Sequence, residues 1–210
     1  MTQHRNGHLS AEDLLVWRGD RCLFRDLSLD LLPGQLLHVT GRNGSGKTTL
    51  LRVLCGLSEP EHGQITWDGR SIRQDAGDYH DNLAYLGHRD GLKGDLTAIE
   101  NLKFHFALRS YVNIGRIEEA LRGMGLERAL SLPTRFLSAG QRRRVALTRV
   151  ILSRVPLWIL DEPYANLDAQ GQALITHRVT DHLERGGLAV MAVHQALTFN
   201  IRRIVALELG

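Results

Sequence analysis

The chain has 210 residues, of which 43% are hydrophobic and 23% charged, with a formal net charge of +3. This suits one globular domain, with or without a subdomain, and charges of both signs are mixed throughout, which argues against a nucleic-acid footprint. No apolar run reaches the ~18 residues of a membrane span, and the first seven residues lack the apolar segment of a signal peptide.

Cys22 and Cys55 lie far apart and outside any C-x-x-C pairing, so they read as reduced thiols in a cytosolic chain. In the first third, Leu14–Trp17, Arg21–Phe24 and Leu27–Leu31 read as three strands, and Pro33-Gly34 as a turn into a fourth, Leu36–Thr40. There follows Gly41-Arg42-Asn43-Gly44-Ser45-Gly46-Lys47-Thr48, which leads into a helix over Thr49–Leu54. Strand, glycine-rich loop and helix form the setting of the G-x-x-x-x-G-K-[ST] phosphate loop. Glycines let successive N–H groups turn inward, and the positive end of the helix faces the phosphates. Lys47 is placed for the β- and γ-phosphates, and the Thr48 hydroxyl for Mg²⁺. Gly63–Gly69 reads as another strand and its turn.

The middle third is helical. Thr97 and Glu100 have the spacing of a capping box before Leu102, Phe104, Phe106, Ala107 and Leu108. Ile117, Ala120, Leu121 and Met124 form a second apolar face, and these positions read as core. Leu137-Ser138-Ala139-Gly140-Gln141 then opens a helix. Ser138 is its N-cap and the backbone after it offers N–H groups to an anion, while Arg142, Arg143 and Arg144 read as a solvated face.

The last third returns to strand–helix alternation: a buried strand at Leu157–Leu160, a helix over Gln170–Glu184, and strands at Leu188–Val193 and Ile204–Leu207. This pattern predicts a largely parallel sheet flanked by helices. Asp161-Glu162 follows the first of these strands. Two acids at a buried strand end need a cation or a chemical task, because unpaired charge there is costly. Asp161 is placed to hold Mg²⁺ through water, and Glu162 to polarise an attacking water. His194 ends the next strand on the same carboxyl edge, where ligands of such sheets collect.

In this order the motifs resemble those of the ATP-binding subunits of ABC transporters, from about Ser10 to Leu207. In that family's terms Gly41–Thr48 resembles Walker A, Leu137–Gln141 the LSGGQ-type signature, and Trp158–Glu162 Walker B with its catalytic glutamate. Asn166-Leu167-Asp168 resembles the D-loop and His194 the switch histidine. Three positions depart from the pattern: Ala139 stands where glycine is usual, and His88 in the place of the Q-loop glutamine. The adenine-stacking aromatic is Trp17, or Arg18 in its stead. Leu86-Gly87-His88, Leu96-Thr97-Ala98, Glu100-Asn101-Leu102 and Trp158–Pro163 are similar to the subunits of cytochrome c maturation (haem exporter) systems.

The resemblance implies an α/β P-loop NTPase of ABC ATPase type. It has a mainly parallel core with an N-terminal antiparallel layer, and a helical subdomain at 90–154 within a core of 1–89 and 155–210. It implies ATP and Mg²⁺ as ligands and a head-to-tail homodimer, in which Leu137–Gln141 and Asp168 complete the ATP site of the other protomer. It also implies integral membrane partner subunits, no nucleic acid, and a peripheral place on the cytoplasmic face of the bacterial inner membrane. The alternatives are the ATPase of another small exporter of drugs or lipids, and an ABC-type ATPase acting on nucleic acid or ribosomes. A third is a nucleotide-sensing module that does not hydrolyse.

Overall fold

The computed structural model describes residues 7–107, 113–193 and 203–210. Two sheets carry the nucleotide-loop region. The first is antiparallel, in the order β2 (Arg21–Leu31), β1 (Leu9–Arg18), β4 (His62–Trp67) and β5 (Arg70–Ser71). The second has the order β6 (Leu83–Leu86), β7 (Leu157–Asp161), β8 (Leu188–Ala192), β3 (Leu36–Gly41) and β9 (Ile204–Leu209). Within it β3 runs parallel to β8 and β9, and β7 parallel to β8.

The N-terminal segment differs from the sequence expectation in one respect. Arg21–Phe24 and Leu27–Leu31 are one continuous strand, β2, and β1 begins earlier, at Leu9. The cause is a pair of irregularities in the ladder, where Asp13 and Asp26 take φ of 51° and 53° and the register shifts around Leu14. A bulge puts Arg25 and Asp26 side by side on the exposed surface, so the period of two breaks in sequence although pairing resumes at Leu27. Asp68-Gly69, with φ of 50° and 75°, closes the β4–β5 hairpin as a turn with positive φ at both positions.

The chain divides into two compact units, Met1–Tyr85 with Val155–Glu162 and Val179–Gly210, and Leu86–Arg154 with Pro163–Arg178. In the first unit both sheets and α1 (Lys47–Leu54) share one apolar core. Leu50, Leu51 and Leu54 of α1 are fully buried with Leu37 and Val39 of β3 and Ile159 of β7. At ~1.5–3 kcal/mol for each buried leucine, this packing is what anchors the helix behind the glycine loop.

The second unit is helical: α3 (Ala98–Ala107), α4 (Ile114–Arg122) and α5 (Ala139–Ser153). Leu102, Phe106, Ile117, Leu121, Met124, Val145 and Val150 are buried in it. The Thr97–Glu100 capping box forms as expected: Thr97 N donates to Glu100 Oε2 at 2.8 Å and Glu100 N to Thr97 Oγ1 at 3.2 Å. Phe104 and Ala107, read from sequence as core, are instead exposed, Phe104 at 53%, and the Lys93 ammonium stands 4.5 Å from the Phe104 ring centre. Leu108 lies outside the described residues. The chain also forms α2 (Ala76–Asp81) and α6 (Ala169–Glu184). Among the described residues no helix is long and apolar enough to cross a membrane.

Candidate functional site

The glycine loop is built between the end of β3 and the start of α1. Gly41, φ 139°, has no room for a side chain: an added Cβ would meet Leu209 O at 2.3 Å and Ser45 Oγ at 2.6 Å. The Ser45 hydroxyl oxygen is buried with no hydrogen-bond partner among the described residues. Gly46 is the N-cap of α1 in a left-handed conformation and supplies no side-chain cap. The first turn of α1 holds no acidic residue. The loop therefore presents a helix N-terminus and an orphaned hydroxyl to an anion.

Lys47 is buried, and its Nζ donates to Gly41 O at 2.8 Å and Arg42 O at 3.1 Å. A buried ammonium held on its own loop's carbonyls is placed to exchange them for phosphate oxygens. Arg42, Asn43, Gly44 and Thr48 are exposed.

Thr48 Oγ1 donates to Asp161 Oδ2 at 2.9 Å, which joins the first residues of α1 to the last residue of β7. Asp161 is only 1% exposed. A hydroxyl and a carboxylate are the donor set of a hard cation that keeps several waters and phosphate oxygens, so the pair fits Mg²⁺. Glu162 follows with φ 52°, and its N–H donates to Ala192 O at 2.9 Å. A left-handed backbone at a non-glycine residue is strained, and such strain concentrates at functional positions. Trp17, at 39% exposure, is the last but one residue of β1 and pairs with Cys22 of β2. His194 lies outside the described residues.

In the other unit, Leu137 is buried and Ser138 caps α5. Gln141 N donates to Ser138 Oγ at 3.1 Å and Ser138 N to Gln141 Oε1 at 2.8 Å, so Gln141 completes a full capping box. The S-x-x-Q spacing carried that signal, although Ser138 alone was read as the cap. Ala139 fits as the first helical residue, half-buried. Gly140 does not tolerate a side chain: a Cβ would stand 2.5 Å from Asn166 O. Asp168 Oδ1 accepts from Gly171 N at 2.8 Å and so caps α6. His88 is exposed.

The sequence reading missed two groups. Arg143 is 2% exposed, not part of a solvated face, and donates to Gly87 O and Asp90 Oδ1. Asn101 and Thr134 tie down the loop ahead of α3: Lys93 N donates to Asn101 Oδ1 at 2.8 Å and Thr134 Oγ1 to Lys93 O at 2.9 Å. No local pattern marks these contacts, because Thr134 and Lys93 are 41 residues apart.

A family profile described as "ABC transporter" matches residues 24–165. The chain is 49% identical to the cytochrome c biogenesis ATP-binding export protein CcmA of Methylococcus capsulatus, over 90% of this chain and 92% of that one. It is 47% identical to the protein of the same name from Nitrosomonas europaea, over 91% of each chain. Among solved structures, a dimeric ATP-binding cassette bound to ADP and Pi superimposes with a TM-score of 0.81 at 23% identity, over 96% of each chain, which shows the same fold. The chain is thus an ATP-hydrolysing cassette and belongs to the ABC transporter family, in the branch of the cytochrome c biogenesis ATP-binding export proteins.

Proposed function

We propose that this chain is the motor subunit of a haem-exporter type complex for cytochrome c maturation, working as a head-to-tail homodimer beneath integral membrane subunits. It sits peripherally on the cytoplasmic face of the inner membrane and meets the bilayer through those partners. The names of its relatives support the cytochrome c assignment, and the dimeric cassette of the same fold supports the pairing.

In this reading Gly41–Thr48 cradles the triphosphate, Lys47 neutralises its outer phosphates and Trp17 stacks on the adenine. Thr48 and Asp161 hold Mg²⁺, which when bound would neutralise charge on the phosphate oxygens. Glu162 polarises the attacking water, His194 contacts the γ-phosphate, and His88 takes the Q-loop place. Leu137, Ser138, Ala139, Gly140, Gln141 and Asp168 of one protomer wall the site of the other.

The observation that carries the reading is the Thr48–Asp161 hydrogen bond of 2.9 Å, which ties the phosphate-loop helix to the acid-bearing strand. Glu162→Gln tests the chemistry: ATP affinity is retained and phosphate release falls by ~10²–10⁴. Turnover at the wild-type rate in that variant removes Glu162 from the role. Purification from detergent extract tests the partner, since recovery of a drug- or lipid-exporter permease in place of cytochrome c maturation subunits would reassign it.

A further inference from the structure

Arg143 is among the largest fully buried side chains of the protein. Its Nη1 donates to Gly87 O and to Asp90 Oδ1, each at 3.0 Å. These acceptors bracket His88 and Arg89. The Asp90 side chain is 23% exposed against 2% for Arg143, so the pair is shielded from water on the arginine side.

Arg149, further along α5, faces the same segment: a Cβ built on Gly91 would lie 3.5 Å from its Nη1. Burial makes the Arg149 guanidinium less basic, and the Asp90 charge opposes that effect. The Asp90 carboxylate accepts from Arg143, and its charge also favours the protonated form of Arg149.

A buried ion pair is weak evidence for stability, because apolar residues of the same shape often do as well. What such residues lack is direction. A methionine in place of Arg143 fills space, yet it fixes neither the Gly87 carbonyl nor the Asp90 carboxylate at a set distance. Arg143 stands two residues beyond Gln141, which closes the capping box of α5 with Ser138. The segment at His88 and the start of α5 are therefore bolted to the same stretch of helix, inside one compact unit.

We propose that Arg143 and Asp90 form a positioning pair that fixes His88 relative to Ser138–Gln141, so that these two elements of the ATPase cycle move as one body. The proposal rests on the roles given above to His88 and the signature segment.

The test compares Asp90→Asn, Asp90→Glu, Arg143→Met and the Asn/Met double variant with the wild-type chain. Fluorescent ATP binding, kcat and KM for ATP, and thermal midpoint are measured on each. ATP affinity is expected to stay within about twofold, since the phosphate loop is untouched, while kcat falls about tenfold or more. The double variant is expected to be no slower than the slower single variant, because both remove one link. Asp90→Glu, which retains the charge, is expected to recover turnover above Asp90→Asn.

Losses that multiply in the double variant, affinity that falls in step with kcat, or wild-type turnover in Asp90→Asn would each overturn the pair. Arg143→Gln stands in where Arg143→Met does not fold: it loses the charge and is too short to reach both acceptors, and normal kcat there is equally fatal. Glu162→Gln in the same assay separates the two levels. Turnover surviving in both Glu162→Gln and Asp90→Asn removes Glu162 from its role and overturns the pair. Turnover lost in Glu162→Gln but normal in Asp90→Asn overturns the pair alone.

Discussion

Thr48 Oγ1 donates to Asp161 Oδ2 at 2.9 Å, across 113 residues of sequence. Asp161 is almost wholly buried, so its carboxylate carries a desolvation cost that a donor from α1 offsets in part. Asp161→Asn retains an acceptor and removes the charge. The nucleotide-free thermal midpoint is expected to match or exceed that of the wild type, while the added stability from Mg²⁺ and ATP is largely lost. Differential scanning fluorimetry with and without both ligands reads the two effects. A large drop in the nucleotide-free midpoint would make the carboxylate a structural group instead. Thr48→Val, which removes one donor to that carboxylate, is expected to cost about 1–3 kcal/mol in denaturant titration.

Glu162 holds φ at 52°, where glycine is free and other residues are strained by ~1–2 kcal/mol. Glu162→Gly is expected to raise the thermal midpoint by about 2–4 °C, for a gain near 1 kcal/mol. Its turnover is expected to fall by at least ~10². The experiment sets stability against catalysis at a single residue, and an unchanged midpoint would show that the neighbours have relaxed the strain.

Gly140 and Ala139 of the signature segment are expected to respond unequally to substitution. Gly140→Ala drives a methyl group to 2.5 Å from the Asn166 carbonyl oxygen, a backbone atom that gives way only by moving the turn. A loss of ~1–3 kcal/mol is expected in chemical denaturation. Ala139→Gly meets no such wall and is expected to cost only ~0.5–1 kcal/mol, through backbone entropy in the first turn. Equal losses would show that the Asn166 turn adapts.

His182 supplies a pH dependence. Its ring stacks on Trp158 at 3.9 Å, and its Nε2 lies 3.1 Å from both Pro156 O and Leu188 O. Burial lowers its pKa from 6.5 to about 4, although the two carbonyls favour the proton. Between those values the unfolded chain binds the proton more readily than the folded one, so stability falls as pH falls through this window. The loss amounts to about 3 kcal/mol at most. Burial lowers the pKa of His38 as well, which acts in the same direction. Urea titrations from pH 7 to pH 4 should show the decline, and His182→Phe, which retains a ring against Trp158, should flatten it. An unaltered slope would place the titration elsewhere.

The sequence alone determined the local parts of this protein. Glycine spacing before Lys47-Thr48, the alternation of strands and helices, the Thr97–Glu100 cap and the acids after an apolar run are all short-range signals, and each sits where it was read. The family was legible for the same reason, since its motifs recur at fixed places along the chain. Partner choice was not legible. That Thr134 holds the Lys93 loop, that Gly140 abuts Asn166 and that Arg143 is buried on Asp90 are contacts between residues 26 to 53 positions apart. The continuity of β2 through the bulge at Asp26 was hidden likewise, because ladder pairing survives a break in periodicity. Periodicity reports the local backbone and which face of an element is apolar. Only the packed structure decides which buried polar group answers which, because an unpaired one is too costly to leave in the core.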